Sequence, residues 1–585
     1  MSERVFIGVA WPYANGPLHL GQIAGAYLAA DIFARYHRTK RNKVLMVSGS
    51  DQHGTPITIT AEQEGKTPEE IADYYHKQFL DSWQKLGISF DLFTTTGTAN
   101  HAEVVHDIFL TLLNKGYLYK ASVSQAFCPQ CQRFLPDRYV EGTCPYCEFS
   151  GTRGDQCDGC GKPLNTTELI DPHCRICSTI PQFKDSEHFF LKLSAFQDEL
   201  SKWVSSKQDK WRPNVYNLTN RYLKEGLKDR AITRDIDWGV TVPIEGFEKK
   251  RIYVWFEAVI GYLSATKEWA KSSEDNEKWR SFWQGEVKSY FFIGKDNIPF
   301  HTIIWPAMLM GYGDLNLPYD VPANEFLTIE GRKLSTSRNW AVWLPDYLSR
   351  YDPDALRYLL SIKMPETGDT DFSWREFVLR NNNELVATYG NLVNRVLTFV
   401  YRNFNGCVPD SEYGQFYKHI QNLDADMGTV AFQEKHDPSR KLDDLSVNMI
   451  EDAKMHFKNV DDNLSRCQFK QAIMQAMDLA QDANQYLDRK SPWKVIKEDR
   501  KAAANSLYMA LCLISYLRTM LYPFLPFSSQ KVHEYLGFEG RVKDYSWQPN
   551  VPPPGQKLTP PKPLFSKLDE RLVEEETSRL GQIHG

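Results

Sequence analysis

The chain opens on an apolar run, Val5-Phe-Ile-Gly-Val-Ala10, which stops at the turn-rich Trp11-Pro-Tyr-Ala-Asn-Gly-Pro17. Apolar residues then recur near helical spacing from Leu18 to about Tyr36, at Ile23, Tyr27, Ile32, Phe33 and Tyr36. This predicts strand, loop and amphipathic helix. Val44-Leu-Met-Val47 predicts a second strand, ending in Ser48-Gly-Ser-Asp-Gln-His-Gly-Thr55, and Thr67 to Leu86 a further helix. Alternating strand and helix predicts an α/β fold with a parallel sheet, its ligand loops at the carboxyl ends of the strands. Between about Gly116 and Arg230 the pattern gives way to cysteine, glycine and proline, then to helical stretches in which Trp203 and Trp211 are expected to be exposed. An inserted domain is expected there. The alternation resumes with Arg251-Ile-Tyr-Val-Trp255 and Ser289-Tyr-Phe-Phe-Ile-Gly294, so the sheet is predicted to be split in sequence and continuous in space. From Trp374 long helical patterns run to Phe527, broken by the polar stretch from Asp424 to Asp444. The last forty or so residues, proline-rich and then charged, are expected to form a loosely packed tail.

At roughly 100 to 200 residues per domain, a 585-residue chain has room for several domains. Hydrophobic residues at 42% and charged residues at 24% match an ordinary globular protein and exclude a disordered or collagenous chain. Lys plus Arg is 69 and Asp plus Glu 74, a formal net charge of −5, so any contact with nucleic acid must come from local patches. The start, Met1-Ser-Glu-Arg, lacks the pattern of a signal peptide. The most apolar stretch, Leu507 to Leu517, ends at Arg518, well short of the about 20 residues that span a bilayer. It predicts a buried helix, and a cytoplasmic location with no membrane partner is expected.

Eight of the eleven cysteines form four Cys-x-x-Cys pairs: Cys128 with Cys131, Cys144 with Cys147, Cys157 with Cys160, and Cys174 with Cys177. Two such knuckles complete a tetrahedral sulfur site with no open position, so eight thiolates predict two structural zinc ions rather than disulfides or redox dithiols. Spacing alone permits adjacent pairing of knuckles or nested pairing.

Two stretches suggest phosphate chemistry. In Pro12-Tyr13-Ala-Asn-Gly16-Pro-Leu-His19-Leu-Gly21-Gln22 a strand gives way to a glycine-bearing loop at a helix start, where free N–H groups and the helix dipole favour an anion. Far downstream, Glu330-Gly-Arg-Lys333-Leu-Ser-Thr336-Ser-Arg338 is a basic, hydroxyl-rich loop suited to closing over a polyphosphate. Taken together, His-Leu-Gly-Gln resembles the HIGH motif, and Lys-Leu-Ser-Thr-Ser the KMSKS motif, of class I aminoacyl-tRNA synthetases. With the inserted knuckles, the helical carboxyl half, and the stretches Phe134-Leu-Pro-Asp-Arg, Tyr253-Val-Trp-Phe-Glu-Ala, Gly294-Lys-Asp-Asn and Phe300-His-Thr-Ile-Ile-Trp-Pro306, the chain resembles the methionyl-tRNA synthetase family over nearly its whole length.

That resemblance implies a Rossmann-like parallel-sheet catalytic domain with an inserted zinc-binding domain, followed by an all-α anticodon-binding helix bundle. The implied limits are 1–116 and 231–325 for the catalytic halves, 117–230 for the insert, 326–375 for the KMSKS-like loop and stem-contact region, 376–545 for the bundle and 546–585 for the tail. It implies nested zinc sites, Cys144, Cys147, Cys157 and Cys160 for one ion, Cys128, Cys131, Cys174 and Cys177 for the other. It implies methionine contacts from Trp11, Tyr13, Asp51, Trp255, Tyr262, Phe300, His301 and Trp305, with Asp51 taking the ammonium. It implies ATP contacts from Gly21, Lys295, Asp296, Lys333, Ser335 and Thr336, and catalytic roles for His19, Gln22, Lys333 and Thr336. Asn391, Arg395 and Trp493 correspond to anticodon-reading positions, where a ring can stack an unpaired base.

The implied reaction joins L-methionine and ATP, with Mg²⁺, to methionyl-adenylate and pyrophosphate, then transfers methionyl to the 3′ end of tRNA(Met). A monomer is expected, with no DNA partner. Gln22 stands where HIGH has its second histidine, and Thr336 where KMSKS has its second lysine, leaving Lys333, Arg332, Arg338 or Lys295 to supply the positive charge. The competing readings are a synthetase-like RNA-binding protein without activation, and a paralogue that charges a non-tRNA acceptor.

Overall fold

The computed structural model covers residues 2–136, 139–154, 157, 159–160, 164, 166–336, 338–424 and 443–582. Apart from its ends, the polar break expected from Asp424 to Asp444 lies outside the described residues. Five parallel strands form the central sheet: β1 (Arg4–Val9), β2 (Lys43–Ser50), β3 (Leu92–Thr95), β4 (Lys288–Gly294) and β5 (Ala323–Asn324), in the spatial order β5-β4-β1-β2-β3. β1 lies between β4 and β2, with Ile7 opposite both Tyr290 and Met46. Its residues from Val5 onward are buried, as expected of a parallel strand covered on both faces. Gly8 is required here, because a Cβ would lie 2.8 Å from ring carbons of Phe291 and Tyr262. Strand order reverses between β1 and β4, which opens a crevice at their carboxyl ends.

After β1 comes helix α1, built from α-helical Leu20–Gln22, π-helical Ile23–Tyr27 and α-helical Leu28–Thr39. Helices α2 (Pro68–Leu86), α3 (Ala99–Asn114) and α4 (Val254–Lys271) follow. The strand expected at Arg251–Trp255 is mostly absent. Only Arg251–Ile252 pairs as a strand, antiparallel to Thr233–Arg234 in a separate two-stranded sheet, and Val254 opens α4. The aromatic and β-branched residues at 252–255 favour strand locally, but β-propensity yields to packing, here that of the apolar stretch through Leu263, buried against the sheet.

The insert is carried on a long antiparallel pair, Leu118–Cys128 against Gln182–Leu191, with the cysteine knuckles at its far end. Trp211, expected to be exposed, is instead buried at 4% exposure and donates its indole N–H to the Tyr319 carbonyl at 3.3 Å. Trp203 meets it edge-on at 5.1 Å. The helices after the knuckles turn an apolar face back onto the catalytic half, and these tryptophans belong to that face.

In the carboxyl half, Arg500–Leu521 is buried from Ala503 onward, the central helix of a bundle with Asn391–Asn403, Asp444–Ser465 and Phe469–Lys490. Among the described residues no helix is long and apolar enough to cross a membrane. The loosely packed tail is a third correction. Trp547, Val551, Leu558, Leu564 and Phe565 are buried in the main core, and Leu572–Arg579 is a helix whose Glu576 is held by Arg350. Prolines reduce the freedom such a segment loses on ordering, so a few apolar side chains between them suffice to fix it.

A buried ion cluster joins the two halves. Asp31 on α1 accepts from Arg35 at 2.8 Å and from Arg357 at 2.7 Å, and both Asp31 and Arg357 have fully buried side chains. Arg357 also donates to the carbonyls of Phe524 (2.7 Å) and Pro523 (2.9 Å). Burial alone would raise the Asp31 carboxyl, but the charges of Arg35 and Arg357 outweigh it and hold it well below the usual range. Its stabilisation is therefore present above the ordinary carboxylate range and is lost as pH falls through the depressed value. Arg357→Ala is expected to cost about 3–5 kcal/mol by breaking a buried ion pair and leaving the Phe524 and Pro523 carbonyls without their donor. A thermal melt unchanged from the parent protein would contradict this.

Candidate active site

At the carboxyl ends of β1, β2 and β4 lies a cavity of about 780 Å³. Its inner wall is aromatic: Trp11 and Tyr13 follow β1, Trp255 and Tyr262 face in from α4, and Phe300 and His301 follow β4. Trp255 donates its indole N–H to the Tyr13 hydroxyl and meets Phe300 edge-on at 4.3 Å. His301 Nδ1 lies 3.0 Å from the Asn297 carbonyl, so Nδ1 carries the proton and Nε2 accepts from the Tyr262 hydroxyl at 2.8 Å. Burial pulls the His301 pKa down to about 4, consistent with this neutral tautomer. Asp51, 3% exposed, is the carboxylate on this wall. Its carboxyl is raised well above the usual range, by burial first and then by the charge of Glu257.

The outer part of the cavity is bounded by the two phosphate-type segments. His19 caps α1, and its backbone N–H donates to the Gln22 side-chain oxygen at 3.0 Å. Gln22 thus spends its oxygen on the cap and keeps its NH₂ group for other partners. Among the described residues His19 Nδ1 is buried without a partner, and burial pulls the ring down to about 4. A Cβ on Gly21 would lie 3.1 Å from both His19 Nδ1 and Leu334 Cδ1, so glycine keeps this cradle open. Arg332–Lys333 pairs antiparallel with Leu327–Ile329, placing Lys333 on the cavity edge. The chain then returns along the first segment: Leu20 N–H donates to Val342 O at 3.1 Å and Leu344 N–H to Leu18 O at 2.7 Å. Two stretches some three hundred residues apart are therefore hydrogen-bonded neighbours.

Some expected residues are placed elsewhere. Trp305 has no exposed surface and packs on Trp283 at 5.9 Å, outside the cavity lining. Ser335 and Thr336 also lie outside the lining; Thr336 is exposed, and Ser335 closes a turn with Trp340. Ser337 is outside the described residues. Lys295 lines the cavity but is paired with Glu325 at 2.7 Å and Asp369 at 2.8 Å. Asp296 is exposed beside it on the lining.

At the far end of the insert, the sulfurs of Cys128, Cys131, Cys174 and Cys177 lie within 4.8 Å of one another, as do those of Cys144, Cys147, Cys157 and Cys160. Sulfur separations of 3.4 Å (Cys128–Cys177), 3.9 Å (Cys131–Cys174), 3.9 Å (Cys144–Cys160) and 3.5 Å (Cys147–Cys157) bracket the roughly 3.8 Å edge of a tetrahedron with 2.3 Å zinc–sulfur bonds. Backbone N–H groups of Cys131 and Cys160 point at the sulfurs three residues before them, at 3.3 and 3.4 Å. The donor sets fit zinc. In the helical half, the Arg395 guanidinium lies 4.3 Å over the Trp493 ring, and Asn391 is exposed one helical turn before Arg395.

Residues 5–397 match the family model described as tRNA synthetases class I (M), and residues 439–584 the anticodon binding domain of methionyl tRNA ligase. The chain belongs to the class I methionyl-tRNA synthetases. A Methionine--tRNA ligase from Dehalococcoides mccartyi is 60% identical over 99% of this chain and 100% of its own length. One from Thermomicrobium roseum is 49% identical over 99% of each. Mycobacterium tuberculosis methionyl-tRNA synthetase, solved in complex with methionyl-adenylate, shares the fold with a TM-score of 0.77 at 24% identity, over 97% of this chain and 100% of that one.

Within this synthetase fold several residues that line the cavity are not among those expected from the sequence. Ala258 and Val259 lie one turn after Trp255 on α4 and face the cavity with it; helical spacing would have found them had residues 253–255 not been read as strand. Glu325 and Asp369, which hold Lys295, carry no local signal.

Proposed function

We propose that the chain catalyses the methionine–tRNA ligase reaction, activating L-methionine with ATP and passing the methionyl group to the 3′ end of tRNA(Met). What carries this reading is the single cavity bounded by an aromatic wall with one buried carboxylate on one side and by the His19 and Lys333 segments on the other. Asp51 would take the ammonium and leave the carboxylate facing outward. The slot between Trp255, Phe300, Tyr262 and His301 suits a flexible thioether, which gains contact with ring edges. A neutral His301 places no charge beside it.

In the first step the carboxylate oxygen attacks the α-phosphorus in line, and the bond to pyrophosphate breaks. In the second, a terminal ribose hydroxyl attacks the activated carbonyl and AMP departs. No protein nucleophile is needed. His19 and Lys333 would act by alignment and by stabilising charge that grows on the phosphates. Mg²⁺ would accompany ATP, neutralising phosphate charge. Asn391, Arg395 and Trp493 would read the anticodon. The domain limits given above, a monomeric state and action in the cytoplasm without DNA or membrane belong to the same reading.

ATP–pyrophosphate exchange across the twenty amino acids tests activation, with methionine expected to be preferred, and charging of total tRNA tests transfer. Absence of exchange would instead favour an RNA-binding protein, and exchange without charging a paralogue with another acceptor. For the cysteine clusters we expect two zinc ions per chain by elemental analysis, and one in Cys144→Ser with Cys147→Ser. An unchanged metal content in that variant would remove the inner cluster from the reading.

A further inference from the structure

A second carboxylate is buried beneath the methionine end of the cavity. Glu257, on α4 two residues after Trp255, has no exposed surface. One of its oxygens lies 2.7 Å from His53 Nδ1 and the other 2.9 Å from His101 Nε2. His101, on α3, is held at its other nitrogen by Ser264 Oγ at 2.9 Å. His53 is the link to the cavity, because its backbone N–H donates to Asp51 Oδ1 at 3.1 Å. The same loop is pinned by Trp238, which meets the His53 ring edge-on at 5.7 Å and donates its indole N–H to the Gln52 carbonyl at 2.6 Å. The loop carrying Asp51 follows β2 directly; its backbone also bonds to Pro12 and Ala14, and the Gln52 N–H donates to Thr96 Oγ1 at 2.9 Å.

We propose that Glu257 is a positioning residue for methionine binding: through His53 it fixes the Asp51 carboxylate where the substrate ammonium docks, and its charge makes that pocket demand a cation. This rests on the assignment of Asp51 to the ammonium. The ionisable groups facing Asp51 are Glu257 from α4, His53 from its own loop and, behind Glu257, His101 from α3. Burial would raise Glu257, but His53 and His101 outweigh it and keep its carboxyl low, while Asp51 is raised. Of the two neighbouring acids, Asp51 is therefore the one that holds a proton when the site is empty. An arriving ammonium displaces that proton. Methionine binding then releases a proton, so KM for methionine falls as pH rises toward the raised Asp51 value and levels off above it.

The test is pyrophosphate exchange, read as KM for methionine against pH. Glu257→Gln is expected to raise that KM roughly 10–100-fold, the range for a lost hydrogen bond to a charged group, to leave kcat nearly unchanged, and to move the KM profile to lower pH. A purely structural role would lower the melting temperature without moving the profile. A parental KM and profile in Glu257→Gln would overturn the inference while leaving the function intact if Asp51→Asn still raises KM. A parental KM in Asp51→Asn would overturn the ammonium assignment itself. Should Glu257→Gln fail to fold, His53→Ala and His53→Asn decide the matter. The asparagine keeps an N–H donor at the Nδ1 position and should recover part of the loss, and equal KM values in the two would overturn the proposal.

Discussion

Lys333→Ala is expected to slow methionyl-adenylate formation about 10²- to 10³-fold, the usual cost of removing one preorganised group that meets developing charge. KM for methionine should stay within about twofold, because the lysine acts on the phosphates and not on the amino acid. The expectation is sharpened by the threonine at 336. A second lysine there would share the load; its absence leaves four cations nearby, and the structure separates them. Arg332 lies over the Trp340 ring at 4.7 Å, Lys295 is committed to Glu325 and Asp369, and Arg338 is exposed beyond the turn. Lys333 alone of the four lines the cavity without a carboxylate partner among the described residues. Single-turnover adenylate formation is the direct measurement. Equal rates in variant and parent would return the charge to another residue.

Trp493→Ala is expected to lose roughly 10- to 100-fold in tRNA charging, the cost of one lost base-stacking platform of about 1–3 kcal/mol, while methionine-dependent pyrophosphate exchange persists. The Arg395 guanidinium lies against this ring at 4.3 Å, its Nη1 is 3.5 Å from Asp488, and its buried Nε has no partner among the described residues. Removing the indole therefore also releases the arginine from its preferred pose, so the loss in charging should lie toward the upper end of that range. Parallel loss of both activities would mark a folding defect and remove the anticodon role.

The parallel sheet was legible because β1, β2 and β4 are short apolar runs that break into polar loops, the signature of strands buried on both faces. The two phosphate-type segments were legible by residue type, but not that the chain just beyond the second pairs with the first, since nothing local in Leu18–Gln22 anticipates Val342–Leu344. Trp255 was placed in the cavity for a wrong structural reason. It was read at a strand end and sits in the first turn of α4, because a short aromatic run looks alike in either setting. The Glu257 network is illegible in the sequence for a related reason: two histidines and a glutamate drawn from three elements carry no spacing to read. The tail was misjudged because composition weighs prolines and charges, whereas five well-placed apolar side chains decide whether such a segment docks.

That docking brings the last described turn of the polypeptide to the reaction chamber. Gly581 N–H donates to the Asn339 carbonyl at 3.0 Å, and Asn339 in turn accepts from the Trp343 indole, whose ring lies 6.1 Å from that of His19. A fluorophore carried on residue 582 itself, as Gln582→Cys, would sit beside the turn that follows Lys333, a good place for an optical reporter of substrate arrival.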